Sequence, residues 1–358
     1  MSNAKKTPGR PVRCRGGASK VREKAGGNAP DRAQRELLSR KINELSLTIQ
    51  GTRLEASIIR LYQEMAKAGI TFKPKTYLAD EWGCPNGVPV IGIPFYLADP
   101  ELSRLEGRLA GTEVEEEAEV MMYLRHEAGH AFNYAYRLHA RPEWRRLFGQ
   151  YSRPYKEDYK SVPFSARFVH HLPGWYAQKH PDEDFAETFA VWLPPGSGWR
   201  EQYADTPALG KLLYVDRMVR RYGRKPPIVT DEKPDKPVQE LSMTLDAWYE
   251  TGKAAKRCRL TLHPVINADL RRLLPAKEGQ PAADVLQANS KQLIRDVNHW
   301  TGMNRRVLRS LFDELTGRVR VLGLKIDPDQ TTARMASVAA FFTTLAMNYQ
   351  FTGQFIDA

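Results

Sequence analysis

Apolar residues recur along the chain with periods that separate helical stretches from extended ones. Between positions 35 and 70, in "RELLSRKINELSLTIQGTRLEASIIRLYQEMAKAGI", Leu37, Leu38, Ile42, Leu45, Leu47, Ile49, Leu54, Ile58, Ile59, Leu61 and Met65 fall at mixed three- and four-residue spacings. That pattern predicts helix, interrupted or bent at Gly51. The pattern then shortens. "ITFKPKTYLA" and "GVPVIGIPFYLA" are brief apolar runs cut by Pro and Gly, and Pro89 and Pro94 suit an edge strand better than a central one. "DPELSRLEG" reads as a short helix.

The strongest helical signal is "GTEVEEEAEVMMYLRHEAGHAFNYAYRL". Thr112 is the expected N-cap, with Glu115 completing a capping box, and the acidic first turn suits the positive end of the helix dipole. Val114, Ala118, Met121, Met122, Ala128, Phe132 and Ala135 form its apolar stripe. An aromatic, Pro-broken stretch of little periodicity follows. A second helix then begins at "HPDEDFAETFAVWL", with Pro181 in its first turn, Asp182, Glu183 and Asp184 at its positive end, and Pro194 and Pro195 stopping it. Phe185, Phe189, Val191, Trp192 and Leu193 are its expected buried side. Residues 224–237, rich in Pro and charge, read as a linker or long loop. Amphipathic segments at 238–253, 267–274, 283–301, 304–322 and 331–351 predict a mostly helical C-terminal unit over 238–358, and no internal repeat is present.

Composition narrows the class. A chain of 358 residues with 42% hydrophobic and 27% charged content is that of a globular protein with room for more than one domain. No run of 18 apolar residues occurs, so no spanning helix and no membrane partner are expected. The N-terminus lacks the apolar core of a secretory signal. Three cysteines, Cys14, Cys84 and Cys258, form no paired framework, which fits a reducing, cytoplasmic setting. The net charge of +12 is uneven: residues 1–35 hold ten Lys and Arg against Glu23 and Asp31, leaving +8 there and +4 elsewhere. This segment is expected to be a disordered basic tail, able to make weak nucleic-acid contact by counterion release. Solvation alone also explains such a run.

The chemistry gathers at "RHEAGH". Residues four apart share one helix face, so His126 and His130 can aim two imidazoles at one point. Glu127 sits about 100° further round, poorly placed as a third ligand but able to reach a water held between the histidines. Two ligands and a general base is the chemistry of H-E-x-x-H zinc sites. Gly129 permits close backbone approach. A polar helix face without a metal is the plain alternative. Glu183 and Glu187, also four apart, are the candidates to complete the site, one on the metal and one holding a histidine N–H; spacing alone leaves their order open. His170, His171 and His180 flank the site as rim candidates, Arg125 reads as a surface ion-pair former, and Cys84 as structural.

"HEAGH" followed by "EDFAETF" resembles the gluzincin metallopeptidases, and "HPDEDFAETFAVWL" is similar to a bacterial family of zinc-binding metallopeptidases. A more distant similarity links it to the catalytic domain of anthrax lethal factor. These resemblances cover roughly residues 110–200, with a weaker one through the C-terminal unit. They imply an α+β, zincin-like domain over 36–223, a small sheet lying over the two ligand helices and a strand edge, here Pro89–Leu97, that binds extended substrate or is simply buried. They imply a Zn²⁺-dependent hydrolase acting on a peptide or protein, with His126, His130 and Glu183 as ligands, Glu187 holding a histidine, Glu127 as general base and Tyr176 as the group that steadies the oxyanion. No H-x-x-G-x-x-H extension follows, which disfavours the metzincins. The rival reading is a nucleic-acid-associated binding protein with a structural or vestigial zinc site, supported by the tail and by the basic runs "RRYGRK" and "KAAKRCR".

Overall fold

The computed structural model describes residues 32–110, 114–155, 159–254 and 262–355. Residues 1–31, nearly all of the expected basic tail, lie outside the described residues, as do Cys14, Cys258, Thr112 and most of "KAAKRCR". The fold is α+β, mostly helical with a small sheet. Among the described residues no helix is long and apolar enough to cross a membrane.

The first stretch is two helices rather than one bent helix. Helix α1 (Arg32–Ser39) takes up Arg32 and Arg35, which the charge pattern assigns to the tail, and a 3-10 turn at Ile42–Glu44 follows. Helix α2 (Arg53–Lys67) starts only after Gly51, whose φ of 77° needs a glycine, and Thr52 caps it by accepting from the Leu54 N–H. Strands β1 (Lys75–Ala79) and β2 (Val90–Pro94) pair in parallel. Every residue of β2 is buried, and Gly92 exchanges two backbone hydrogen bonds with Gly83 on the side away from β1. This stretch is therefore a buried structural strand. Its edge is not open to an extended substrate.

Helices α3 (Pro100–Ala110) and α4 (Glu117–Ala135) follow. The capping box of α4 lies one turn later than expected, formed by Glu116 and Glu119, with the Glu116 N–H donating to Glu119 Oε2 at 3.2 Å. The expected stripe also proves incomplete. Ala118 is exposed, whereas from His126 to Ala135 the helix is buried on every side. A short helix α5 (Pro142–Phe148) leads into the irregular stretch, and α6 (Pro181–Trp192) is buried from Pro181 through Ala190. Helix α6 packs on α4, while α2 and β2 pack on α4 as well and α8 (Pro207–Tyr222), after the short α7 (Trp199–Gln202), backs α6.

Residues 231–237 lie along β1, where Tyr77 Oη contacts Asp235 and Ala79 bridges Pro237. Val238, Leu241 and, from helix α9 (Leu245–Ala254), Leu245 and Tyr249 join the same core as α2, α4 and α6. A second apolar cluster begins at Leu262. It is built from α10 (Ile266–Leu273), α11 (Ala282–Ala288), α12 (Ser290–Thr301), α13 (Arg305–Val321) and α14 (Thr331–Thr352), with a two-residue antiparallel pair, β3 (Gln280–Pro281) and β4 (Lys325–Ile326). In "RRYGRK", Arg220 pairs with Asp216, and Arg221 and Lys225 lie over the Tyr222 ring.

Candidate metal centre

The crossing of α4 and α6 sets the site. A Cβ on Gly129 would lie 2.8 Å from Ala186 Cα and 2.9 Å from its carbonyl oxygen, so only glycine allows the two backbones this close. His126 and His130, on α4, therefore face Glu183 and Glu187, which flank Ala186 on α6. Ten polar or charged groups on two buried helical stretches would be costly without partners; here the carboxylates and imidazoles supply one another.

Three ligand atoms converge. His126 Nε2 lies 3.0 Å from Glu183 Oε2, His130 Nε2 lies 3.1 Å from the same oxygen, and the two nitrogens are 3.2 Å apart. These spacings fit a tetrahedral zinc: ligands about 2.0–2.1 Å from an ion at its centre stand about 3.3 Å from one another. All three residues are less than a tenth exposed. Among the described residues, His126, His130 and Glu183 form a group whose ligand atoms all lie within 4.8 Å of one another.

The far sides of both imidazoles meet carboxylates. His126 Nδ1 is 2.8 Å from Glu187 Oε1, and the other Glu187 oxygen accepts from the backbone N–H groups of His171 and Leu172. His130 Nδ1 is 3.1 Å from Asp182 Oδ2, an ion-pair distance with the N–H off the line of a good hydrogen bond. Asp182 also accepts from Tyr134 Oη and, at 2.8 Å, from Asn133 Nδ2. Glu183 Oε2 thus lies beside both histidine Nε2 atoms, and Glu187 lies behind His126.

Burial disfavours charge on every one of these groups. At His126 the carboxylates of Glu183 and Glu187 outweigh it and lift the pKa to about 9. Against the same burial, Asp182 and Glu183 hold His130 well above its ordinary value. The histidines in turn hold Glu183 well below the usual carboxylate range, and Asp182 and Glu187 are lowered too. A cation bound at this point displaces protons, because the nitrogens must be neutral to ligate. Asp184 differs: burial lifts it to about 7 although Lys211 Nζ stands 2.6 Å away.

The remaining candidates are disposed as follows. Glu127 is buried on α4, one residue after His126. The Tyr176 ring is 5.6 Å from the His126 ring, at the start of a 3-10 turn that leads into α6. Burial keeps the Tyr176 hydroxyl well above its ordinary pKa, with Glu183 and Glu127 adding to it. His180 caps α6 by accepting from the Asp182 N–H, and His171 Nε2 meets the Met122 carbonyl at 3.0 Å, so both hold the scaffold. Arg125 is no surface ion pair; it makes two 2.7 Å bonds to the buried Glu64. Cys84 is buried, with Sγ 3.2 Å from the Val88 carbonyl.

Sequence reasoning missed Asp182, Asn133 and Tyr134. The signal was present. Three carboxylates in the first turn of a helix that is apolar further on invite a partner for each, but the helix dipole accounts for them equally well on a solvated helix.

The two helices bring two histidines and a glutamate together in a group that could hold a metal ion. Residues 97–195 match the family described as "Putative zinc-binding metallo-peptidase". The match takes in α4, α6 and everything between them, so the likeness carried by "HEAGH" and "EDFAETF" is a likeness to this family; the weaker one through the C-terminal unit lies outside it. No curated protein and no solved structure matches the chain significantly.

Proposed function

We propose that this chain is a zinc-dependent metallopeptidase of the gluzincin type, with His126, His130 and Glu183 holding Zn²⁺ and peptide bonds as its substrate. The reading is carried by the 3.0–3.2 Å spacing of the two histidine Nε2 atoms and Glu183 Oε2 in a buried setting, and the family match supports it. Zinc held there supplies Lewis acidity, which acidifies water and polarises a carbonyl.

The chain's own groups do the rest. Glu187 and Asp182 fix the ring orientation of His126 and His130 and keep their Nε2 atoms turned to the centre. Glu127 takes the proton of the attacking water and passes it to the leaving amine. A tyrosine hydroxyl stays protonated near neutral pH, so Tyr176 donates to the carbonyl oxygen as it gains charge. The neighbouring elements exclude bulk water, which strengthens each of these interactions. Nucleic-acid contact gains no support from the locally engaged charges of "RRYGRK".

Glu127→Gln tests the assignment. Elemental analysis is expected to find zinc retained at one per chain, while turnover of a fluorogenic peptide mixture falls about 10²–10⁴-fold. Full turnover by Glu127→Gln, or no hydrolysis by the zinc-loaded native chain, overturns the peptidase reading.

A further inference from the structure

Four large apolar side chains stand exposed on the stretch before Tyr176 and on the helices that meet it: Val162 at 64%, Phe164 at 72%, Trp300 at 51% and Phe351 at 45%. Singly exposed apolar residues are ordinary, but a contiguous group marks a contact surface. Two of these touch, and the other two are tied to the same stretch through backbone groups. Phe164 stacks on Trp300 with ring centroids 5.9 Å apart, and Lys160 Nζ bonds the Phe351 carbonyl at 3.1 Å. Val162 exchanges two hydrogen bonds with the Gln178 amide, at 2.8 and 2.9 Å, which ties it to the 3-10 turn that begins at Tyr176.

The backbone under this surface is strained. Phe164 and Trp175 both adopt φ of 58°, a left-handed conformation that bulky residues rarely take. Their rings meet at 5.0 Å, and Trp175 directly precedes Tyr176. Strain held in place by its surroundings clusters at ligand-binding loops. Trp300 comes from α12, whose buried residues belong to the second apolar cluster, so its contact with Phe164 joins the 160–164 stretch to that unit.

We propose that Phe164 and Trp300, with Val162 and Phe351, form an apolar subsite that takes a large hydrophobic side chain of an extended peptide, near the bond cut at the His126–His130–Glu183 centre. The proposal rests on the peptidase reading. Its occupant follows from continuity: Phe164 touches Trp175, and the next residue, Tyr176, stands 5.6 Å from His126, ring to ring. Sequence distance hides this surface, because its members are as far apart as Val162 and Phe351.

The test uses the full chain carrying Glu127→Gln, loaded with zinc, and two fluorescein-labelled dodecapeptides that differ only in having Phe or Ser at every third position. The Phe peptide is expected to bind at least 10-fold tighter. Adding Phe164→Ser or Trp300→Ser is expected to remove most of that preference, with zinc content and melting temperature unchanged. Equal binding of the two peptides, or a preference that survives both substitutions, overturns the subsite. So does self-association that Trp300→Ser abolishes, which makes the surface a contact between copies, or a preference that appears only when residues 1–31 are removed, which makes the chain's own tail the occupant. Failure of zinc loading or of turnover in the native chain overturns the peptidase reading instead, and peptide binding reads out separately from both.

Discussion

At the scale of single residues, each histidine of the candidate centre is backed by a carboxylate on its far side. His126 and His130 each have one ring nitrogen at the centre and the other at a carboxylate, Glu187 for one and Asp182 for the other. Asp182→Asn keeps the shape and removes the charge. It is expected to lower zinc affinity about 10–100-fold, measured by competition with a chromogenic chelator, with an unchanged circular dichroism spectrum; an unchanged affinity would make Asp182 a packing residue only. The pairing of His126 with His130 was legible because residues four apart stand on one face of a helix. Spacing showed Glu183 and Glu187 as a pair without their order, since residues four apart share a face whichever end is nearer the histidines; only the family resemblance put Glu183 at the centre. Asp182 was hidden by a sufficient local explanation, the helix dipole.

At the scale of elements, most of the helices were legible, but α5, α7 and the sixteen-residue α8 were not read from the pattern, and helix environment was not legible at all. The α4 pattern reads as amphipathic, yet its second half is buried all round because Gly129 admits α6 against it. Nothing in a single helix's periodicity reports that a second helix will cross its polar face. The same applies to β2, whose prolines suggest an exposed edge that Gly83 in fact occupies. Helix α4 is tied to α2 by Arg125 and Glu64. Burial alone would raise the Glu64 pKa, but the two bonds from Arg125 and the charges of Arg125 and Arg60 hold it below the ordinary value. The folded pKa thus lies below the unfolded one, so the pair stabilises fully above the unfolded carboxylate range, near pH 4.3, and its contribution disappears as pH falls through the lower folded value. Glu64→Gln is expected to cost about 2–3 kcal/mol at pH 7 and progressively less in acid, followed by urea unfolding from pH 7 to pH 3. A cost independent of pH would contradict this account of the pair.

At the scale of the molecule, the second apolar cluster is docked on the loop that carries Tyr176. Arg305 pairs with Glu119, and Arg306 with the buried Glu106 at 2.9 Å. Gly174 and Gly302 meet backbone to backbone, both at positive φ; a Cβ on Gly302 would come within 2.0 Å of Gly174 Cα. Gly302→Ala must therefore push α12 away from the loop and is expected to destabilise the protein by about 3 kcal/mol. Thermal unfolding together with limited proteolysis checks this; a melting point equal to the native one would contradict the docked arrangement. Composition and periodicity indicated helices after residue 262 but not where they rest, because docking is decided by a few distant contacts that leave no periodic trace.

The central claim is that two histidines of α4 and one glutamate of α6 hold a single zinc ion. Anomalous diffraction at the zinc absorption edge, from crystals of the native chain with stoichiometric zinc, measures this directly. The account predicts one dominant peak about 2.0–2.1 Å from His126 Nε2, His130 Nε2 and a Glu183 oxygen, with Glu187 at His126 Nδ1. A peak coordinated by Glu187 in place of Glu183, or no peak between the two histidines, would contradict it.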